Sequence, residues 1–215
     1  MEFRKLRADE IDCRVSQISE KGLTLLLYKD ARCDMNILDE TVGCMNWKRS
    51  HTRDNANCIV SIYDKEKNEW VGKEDTGTES FTEKEKGLAS DSFKRACFNW
   101  GIGRELYTAP FIWISAEKCK IEKKNDKFTT YDKFRVVNIK YQNGEIIGLR
   151  IKNCRTNQVV FDYGTQEDLI TEEQKEQMKK KFKPEEIKEL LNDYDHRKLS
   201  EFTKEEAECL LNEEK

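Results

Sequence analysis

Apolar residues alternate with polar ones, or form short apolar runs, along several stretches of the chain. Period-two spacing and short runs bounded by turn residues are typical of β-strands. The predicted strands cover residues 23–28, 45–53, 57–64, 69–77, 133–141, 146–153 and 158–163. Asn143-Gly144 lies between two of them, and this dipeptide is the strongest short-range signal for a β-hairpin.

One long helix is predicted after the strand at 69–77. Ser80 and Thr82 each precede a glutamate by three residues, a pattern typical of a helix N-terminus. Gly101 and Gly103 indicate the helix end, where a left-handed residue closes the last turn. Shorter helices are predicted at residues 8–19 and 31–42.

The long helix has two chemically different faces. Apolar and small side chains that can pack against a sheet lie on one face, namely Leu88, Ala89, Ser92, Phe93, Ala96 and Trp100. The other face is small near the helix start and positively charged toward its middle. It comprises Gly87, Ser90, Asp91 and Lys94, with Arg95 on its flank and Lys86 at its edge. A phosphate backbone can approach this second face closely.

The predicted fold class is α+β, with an antiparallel β-meander at residues 45–77 packed against the long helix and extra β-strands after it. Residues 118–127 are expected to be a charged, flexible connection. From Thr171 the chain becomes rich in Glu, Lys and Leu, which predicts a small region of three helices. Helix-start signals in that region are Thr171 with Gln174, Pro184, and Thr203 with Glu206. We therefore divide the chain into a main domain, residues 1–164, and an acidic helical C-terminal region, residues 165–215.

Charge is unevenly distributed along the chain, whose formal net charge is −3. Residues 165–215 hold 10 Lys and Arg against 16 Asp and Glu, so the remaining body carries a net charge of +3. A mildly basic body is compatible with a local patch that binds a polyanion. No apolar run is long enough to span a membrane, and the first residues lack the apolar stretch of a signal peptide. We therefore expect a cytoplasmic protein without a membrane partner.

Motifs for metal, redox and nucleotide chemistry are missing from the sequence. The eight cysteines include no Cys-x-x-Cys pair and the chain has only two histidines, so no zinc-ligand spacing exists. Free, buried thiols are the expected state of the cysteines. Gly101-Ile-Gly103 lacks the third glycine of a dinucleotide fingerprint, and no phosphate-binding loop is present. We expect no cofactor, no metal and no catalytic residue.

The long helix resembles the signature helix of the Rad-fifty-two-type single-strand annealing proteins, in residues 89–96 (ASDSFKRA) and 100–104 (WGIGR). Within that family, the chain resembles the phage, Sak-like branch. The resemblance extends back through residues 45–49 (MNWKR) and the strand at 70–77. It implies the fold of that family, and ATP-independent binding and annealing of complementary single DNA strands in recombination and repair. It also implies a homo-oligomer, typically a ring, and no enzymatic bond-making.

The resemblance implies that basic residues on and beside the signature helix bind DNA. The residues that match its motif are Lys86, Lys94 and Arg95, and further candidates are Arg49, Arg53 and Arg104. Lysine and arginine contact the phosphate backbone without sequence preference. The family usually has another basic residue one turn after the Lys-Arg pair, where this chain has Phe98. That departure implies weaker DNA binding, stacking of Phe98 on a base, or packing of Phe98 on a neighbouring subunit.

Period-two spacing places Trp47, Arg49, His51 and Arg53 on one face of the strand at 45–53. This face is either a solvent-facing edge with one aromatic residue or part of a single-strand groove. In such a groove arginines bind phosphates and an aromatic ring stacks on bases. The resemblance favours the groove, with His51 as a neutral polar contact.

Two other functions stay open from the sequence. An oligomeric interaction module would act through the acidic C-terminal region. A metal-dependent nuclease would need clustered acids, for which the candidates are Asp64, Glu66, Glu74 and Asp75. For the annealing function, the expected partners are single-stranded DNA and further copies of the chain. The C-terminal region is then expected to bind the host single-strand-binding protein or a phage exonuclease.

Overall fold

The structure is a computed structural model, and it describes residues 1–78, 84–164, 169–194, 196 and 198–212. It is an α+β chain with antiparallel sheets and, within those residues, five α-helices. None of these described helices has the length and apolar character needed to cross a membrane. The chain forms two compact units. Unit 1 comprises Met1–Ser16, Leu25–Ile112 and Tyr141–Ile146, and unit 2 comprises Gln17–Thr24, Trp113–Lys140 and Ile147–Lys215.

The described strands form three sheets. In chain order they are β1 (Ile11–Ser19), β2 (Gly22–Lys29), β3 (Trp47–Thr52), β4 (Asn57–Asp64), β5 (Glu69–Thr76), β6 (Ile112–Ser115), β7 (Glu122–Lys124), β8 (Lys127–Thr129), β9 (Phe134–Gln142), β10 (Glu145–Asn153) and β11 (Val159–Tyr163). One sheet has the order β11-β10-β9-β1-β2-β6, a second has the order β3-β4-β5, and β7 pairs with β8. The α-helices are α1 (Ala31–Val42), α2 (Lys84–Trp100), α3 (Glu172–Lys181), α4 (Pro184–Asp193) and α5 (Lys204–Asn212).

The predicted antiparallel meander is present in unit 1, as β3, β4 and β5. Cys58, Val60 and Ile62 of β4 are all buried, as their alternation along the strand predicts. Helix α2 packs across β4 and β5, and its Phe93 and Ala96 are fully buried. Sheet and helix therefore form one α+β layer pair around an apolar core.

The prediction of one long helix on the meander needs a correction. Helix α2 has 17 residues, but α1, with 12 residues, also contacts α2 and β3. Two helices, rather than one, accompany the meander in unit 1. Helix α1 has the predicted bounds because Asp30 accepts a hydrogen bond from the Arg32 N–H at its start. It ends at Gly43, whose φ of +85° lies in the left-handed region.

Helix α2 ends at the glycine that predicts its end. Gly101 has a φ of +98°, and the Ile102 N–H donates to the Cys97 carbonyl at 3.1 Å. This hydrogen bond is typical of a Schellman motif and satisfies one of the last helical carbonyls. The helix-start signals at Ser80 and Thr82 lie in residues 79–83, outside the described part of the chain.

The prediction of a helix at residues 8–19 was wrong, because most of this stretch forms strand β1. Only Ala8–Glu10 form a helical turn, of the 3-10 type, and Ile11–Ser19 are extended. The apolar residues Ile11 and Val15 fit either a helical period or a period of two. Cys13 between them is also half-buried, and exposed residues alternate with the three, which is the strand pattern.

Two-residue turns connect neighbouring strands in both units. Asn143 and Gly144 have φ values of +52° and +84°, which confirms the predicted hairpin between β9 and β10. The expectation of a flexible connection at residues 118–127 was wrong, because β7 and β8 form a second hairpin there. Its turn residues, Asn125 and Asp126, also have positive φ values, which Asn and Asp tolerate better than most residues.

The predicted three C-terminal helices, α3 to α5, have a small apolar core of their own within unit 2. Its buried members are Ile170, Met178, Phe202, Ala207 and Leu210. Thr171 and Gln174 form the predicted capping box at the start of α3. Glu201, just before α5, pairs with Lys152 of β10 at 3.6 Å.

Candidate nucleic-acid interface

Three rows of side chains cross the helix side of the meander. Directly opposed residues in paired strands share a face, so the pairing register defines the rows. They are Trp47-Ile62-Val71, Arg49-Val60-Lys73 and His51-Cys58-Asp75. Trp47, Arg49 and His51 therefore share one face, as the period of two predicts. That face contacts α2, although Arg49 stays exposed.

Phe93 of α2 is the centre of contacts on this face. Its fully buried ring stacks with Trp47 at a centroid distance of 6.1 Å. The exposed guanidinium of Arg49 lies 4.8 Å from the Phe93 centroid, a cation–π contact. The Trp47 indole N–H donates to Asp39 at 2.6 Å. The Trp47 ring thus takes part in internal packing and is not an open platform for a base.

Two further contacts join α2 to the meander. His51 Nδ1 lies 3.5 Å from the Ser92 hydroxyl, and burial lowers the pKa of His51, which favours the neutral ring. Trp100 is half-buried, whereas the helical wheel places it on the buried face. Its indole N–H donates to the Val60 carbonyl at 2.9 Å, and the Lys73 ammonium lies 4.5 Å from its ring centroid. These contacts are structural.

Three of the predicted DNA-binding residues have other surroundings. Arg53 lies past the end of β3 in a turn, with a φ of +51°, so the strand alternation does not reach it. Lys86 is exposed near the start of α2. Arg104 donates to the carbonyls of Phe98 and Asn99 at 2.8 to 3.1 Å. It therefore caps the C-terminal end of α2.

Lys94 and Arg95 line one groove of about 440 Å³ in unit 1. Its walls come from β2, from α2 and from the segment that follows α2. Lys94 Nζ lies 3.7 Å from Asp91 Oδ1, and Arg95 Nε lies 3.4 Å from Asp75 Oδ1. Both basic side chains are partly exposed, and ion pairs of this kind contribute little in water. A phosphate can therefore compete with either carboxylate.

Aromatic side chains share this groove with the two basic residues. Phe98 lines the groove and makes an edge-type ring contact with Tyr107 at a centroid distance of 5.0 Å. Tyr107 is 68% exposed and Tyr28 of β2 is 42% exposed. Basic residues beside exposed rings are the combination that proteins use to bind single-stranded nucleic acid.

A buried ion pair lies next to Phe98. Lys29 and Asp34, both with at most 1% exposure, pair with each other. The Lys29 ammonium also lies 4.3 Å from the Phe98 centroid and donates to the Lys94 carbonyl at 3.5 Å. A Cβ at Gly103 would come within 2.5 Å of Lys29 Cε, so glycine leaves the room that the lysine needs. Burial raises the pKa of Asp34 to about 6, although Lys29 opposes the shift.

The four acids considered for a nuclease do not meet in one place. Asp64 accepts a hydrogen bond from the Glu66 N–H in the turn between β4 and β5. Glu74 and Asp75 are adjacent in β5, so their side chains point to opposite faces. Among the residues that the structure describes, no group of three or more His, Cys, Asp or Glu side chains is arranged to hold a metal ion.

The eight cysteines are free thiols, and half of them are buried. The buried ones are Cys33, Cys58, Cys97 and Cys119. Burial raises the pKa of Cys58 to about 11, which keeps that thiol protonated. Cys44, Cys154 and Cys209 are exposed and Cys13 is half-buried, so the expectation of buried thiols is right for only part of the set.

Sequence reasoning singled out part of the groove and missed the rest. The missed residues of the groove are Tyr28, Lys29 and Tyr107. Asp34, which pairs with Lys29, was missed as well. A lysine that ends an apolar strand and a tyrosine three residues after Arg104 were the available signals. The groove is assigned on its own geometry, because no protein-family model, curated protein or solved structure matches the chain.

Proposed function

We propose that this protein binds single-stranded DNA and anneals complementary strands without ATP, as Rad-fifty-two-type single-strand annealing proteins do. The groove of Lys94 and Arg95 carries the proposal, because these residues come from the run that resembles the family signature and lie beside exposed aromatic rings. The meander with α2 packed across it fits the fold that the resemblance implies.

Annealing needs strands whose charge is neutralised and whose bases stay available for pairing. Lys94 and Arg95 supply positive charge without reading a base, and binding releases the counterions of the phosphates. In the absence of DNA their charges are balanced by Asp91 and Asp75. A phosphate that replaces these carboxylates exchanges one weak, partly exposed ion pair for another, so binding is reversible and sensitive to salt.

The same proposal covers assembly and partners. Self-association into a ring follows from the resemblance, as does action in the cytoplasm of a host cell. Residues 165–215 carry a net charge of −6, which disfavours contact with DNA. We therefore assign this region to protein partners, the host single-strand-binding protein or a phage exonuclease.

An annealing assay with two complementary labelled oligonucleotides tests the proposal. The reaction contains the full chain, a chelator and no ATP. Faster duplex formation than in the protein-free control supports annealing. Strand cleavage that requires added metal would indicate a nuclease instead, and an absence of both binding and annealing would indicate an interaction module.

A further inference from the structure

We propose that Tyr107 is a base-stacking platform, so that the groove binds an unpaired nucleobase as well as phosphate. This inference rests on the proposed single-strand binding. Lys94 and Arg95 are the proposed contacts of the phosphates, and Tyr107 is the proposed contact of a base. Ring exposure, anchoring of the surrounding backbone and the position of Tyr107 in the groove carry it.

The Tyr107 ring is open to solvent although its neighbours are packed. It is 68% exposed, and Phe98 contacts it edge-on, with an interplanar angle of 61°. A single exposed aromatic residue is common on protein surfaces. This one differs because it lines the same groove as Lys94 and Arg95, where a base attached to a bound phosphate would lie.

The backbone that carries Tyr107 is anchored on both sides. Tyr107 lies in a 3-10 turn, Arg104–Thr108. Within this turn the buried Glu105 accepts a hydrogen bond from the Leu6 N–H at 2.9 Å. The Thr108 hydroxyl accepts one from the Ile146 N–H at 2.9 Å. A ring on so constrained a turn loses little further freedom when a ligand binds, which favours affinity.

The Phe98 ring, which contacts Tyr107, is also held in place. Phe98 contacts both the Tyr107 ring, at a centroid distance of 5.0 Å, and the Lys29 ammonium, which lies 4.3 Å from the Phe98 centroid. Lys29 is in turn paired with Asp34 inside unit 1. The aromatic wall is therefore supported from the protein interior.

The groove suits a single strand better than a duplex. Its volume of about 440 Å³ is in the range of pockets that hold small ligands, so it can take a unit of nucleotide size. In a duplex each base is already stacked and paired, and removing it from the stack costs free energy. Stacking on Tyr107 therefore selects unpaired strands without selecting a base, since every base has a π-face.

Binding of two matched oligonucleotides tests the role of Tyr107. One is an all-thymine strand, and the other has the same length and phosphates but abasic sites. The proteins are the full-length chain, Tyr107→Ala, Tyr107→Phe, and Tyr131→Ala as a control, because Tyr131 is 71% exposed and lies in unit 2. Dissociation constants are measured at several salt concentrations.

The expected result is that the unaltered protein prefers the thymine strand to the abasic strand. Tyr107→Ala should weaken thymine-strand binding about 5- to 150-fold and leave abasic binding and the salt slope unchanged. Tyr107→Phe and Tyr131→Ala should keep the preference. An equal preference in Tyr107→Ala and the unaltered protein, or no preference in either, would overturn the stacking role while leaving the proposed function in place. Failure of the unaltered protein to bind either strand would overturn both.

Discussion

The Lys29 ammonium lies 4.3 Å from the ring centroid of Phe98 in the interior of unit 1. Its charge is balanced by Asp34, and it also reaches the backbone carbonyl of Lys94. Lys29 thus contacts two parts of the groove wall. One is Phe98, whose ring contacts Tyr107. The other is the helical turn of Lys94, a proposed phosphate contact. The shape of the groove depends on an ion pair that solvent does not reach.

Removing Lys29 should destabilise the protein strongly. Lys29→Met leaves Asp34 buried without its partner, and breaking a buried pair in this way costs about 3–5 kcal/mol. The double variant Lys29→Met/Asp34→Leu removes both charges and should recover much of the loss. Urea unfolding of the two variants and of Asp34→Leu measures the coupling. A double variant less stable than Lys29→Met would contradict this role.

Phe93 should be the aromatic residue of α2 on which stability depends most. Its fully buried ring contacts Trp47 and Arg49, so Phe93→Ala should lower the free energy of unfolding by about 3–5 kcal/mol. Phe111→Ala is the control, because Phe111 is 77% exposed and its loss should change stability by at most about 0.5 kcal/mol. Equal effects of the two changes would show that the packing of α2 is misassigned.

Lowering the pH should reduce the stability of unit 2, because Asp132 then becomes protonated. The carboxylate accepts hydrogen bonds from Arg155, the Lys120 N–H and Asn153, and Arg155 is the main cause that lowers the pKa of Asp132 to about 2. Its stabilising contribution is therefore complete above the ordinary aspartate pKa of about 4 and is lost as the pH falls through about 2. The stability difference between the unaltered chain and Asp132→Asn should shrink over that window. A difference that stays constant from pH 7 to pH 2 would refute the assignment.

Asp91→Asn should tighten single-strand binding. The change removes a negative charge 3.7 Å from Lys94 Nζ while an amide oxygen can still accept from the Thr78 N–H. Exposed ion pairs are worth up to about 1 kcal/mol, so the dissociation constant should fall by up to about 5-fold. Asp126→Asn makes the same change in charge in the exposed turn between β7 and β8 and should have little effect. Weaker binding by Asp91→Asn would speak against Lys94 as a phosphate contact.

Local sequence signals were enough to predict much of unit 1. Helix α1 has its predicted bounds, with its end at Gly43. The meander follows from the alternation in β4 and from polar turns. Strand β1 was missed because Ile11 and Val15 fit two periods equally well, and the choice between them is made by pairing with β2 and β9.

The groove was harder to predict because its residues come from separate parts of the chain. Lys94 was found from a motif, whereas Lys29 and Tyr107 join it in the groove only once β2 and the turn after α2 have packed together. A lysine at the end of an apolar strand is normally a solvated terminus. Its burial here depends on Gly103 and Asp34, which no local pattern connects to it.

Annealing by the double variant Lys94→Ala/Arg95→Ala tests whether the groove of unit 1 is the annealing site. In chelator and without ATP, the unaltered chain should accelerate annealing of complementary strands, and the double variant should not. The log–log salt slope of single-strand binding should also fall by about 0.7 for each phosphate contact removed. Lys123→Ala/Lys127→Ala, in the β7–β8 hairpin, removes the same charge elsewhere and should behave like the unaltered chain. A folded double variant with unaltered salt slope and annealing rate would contradict the account.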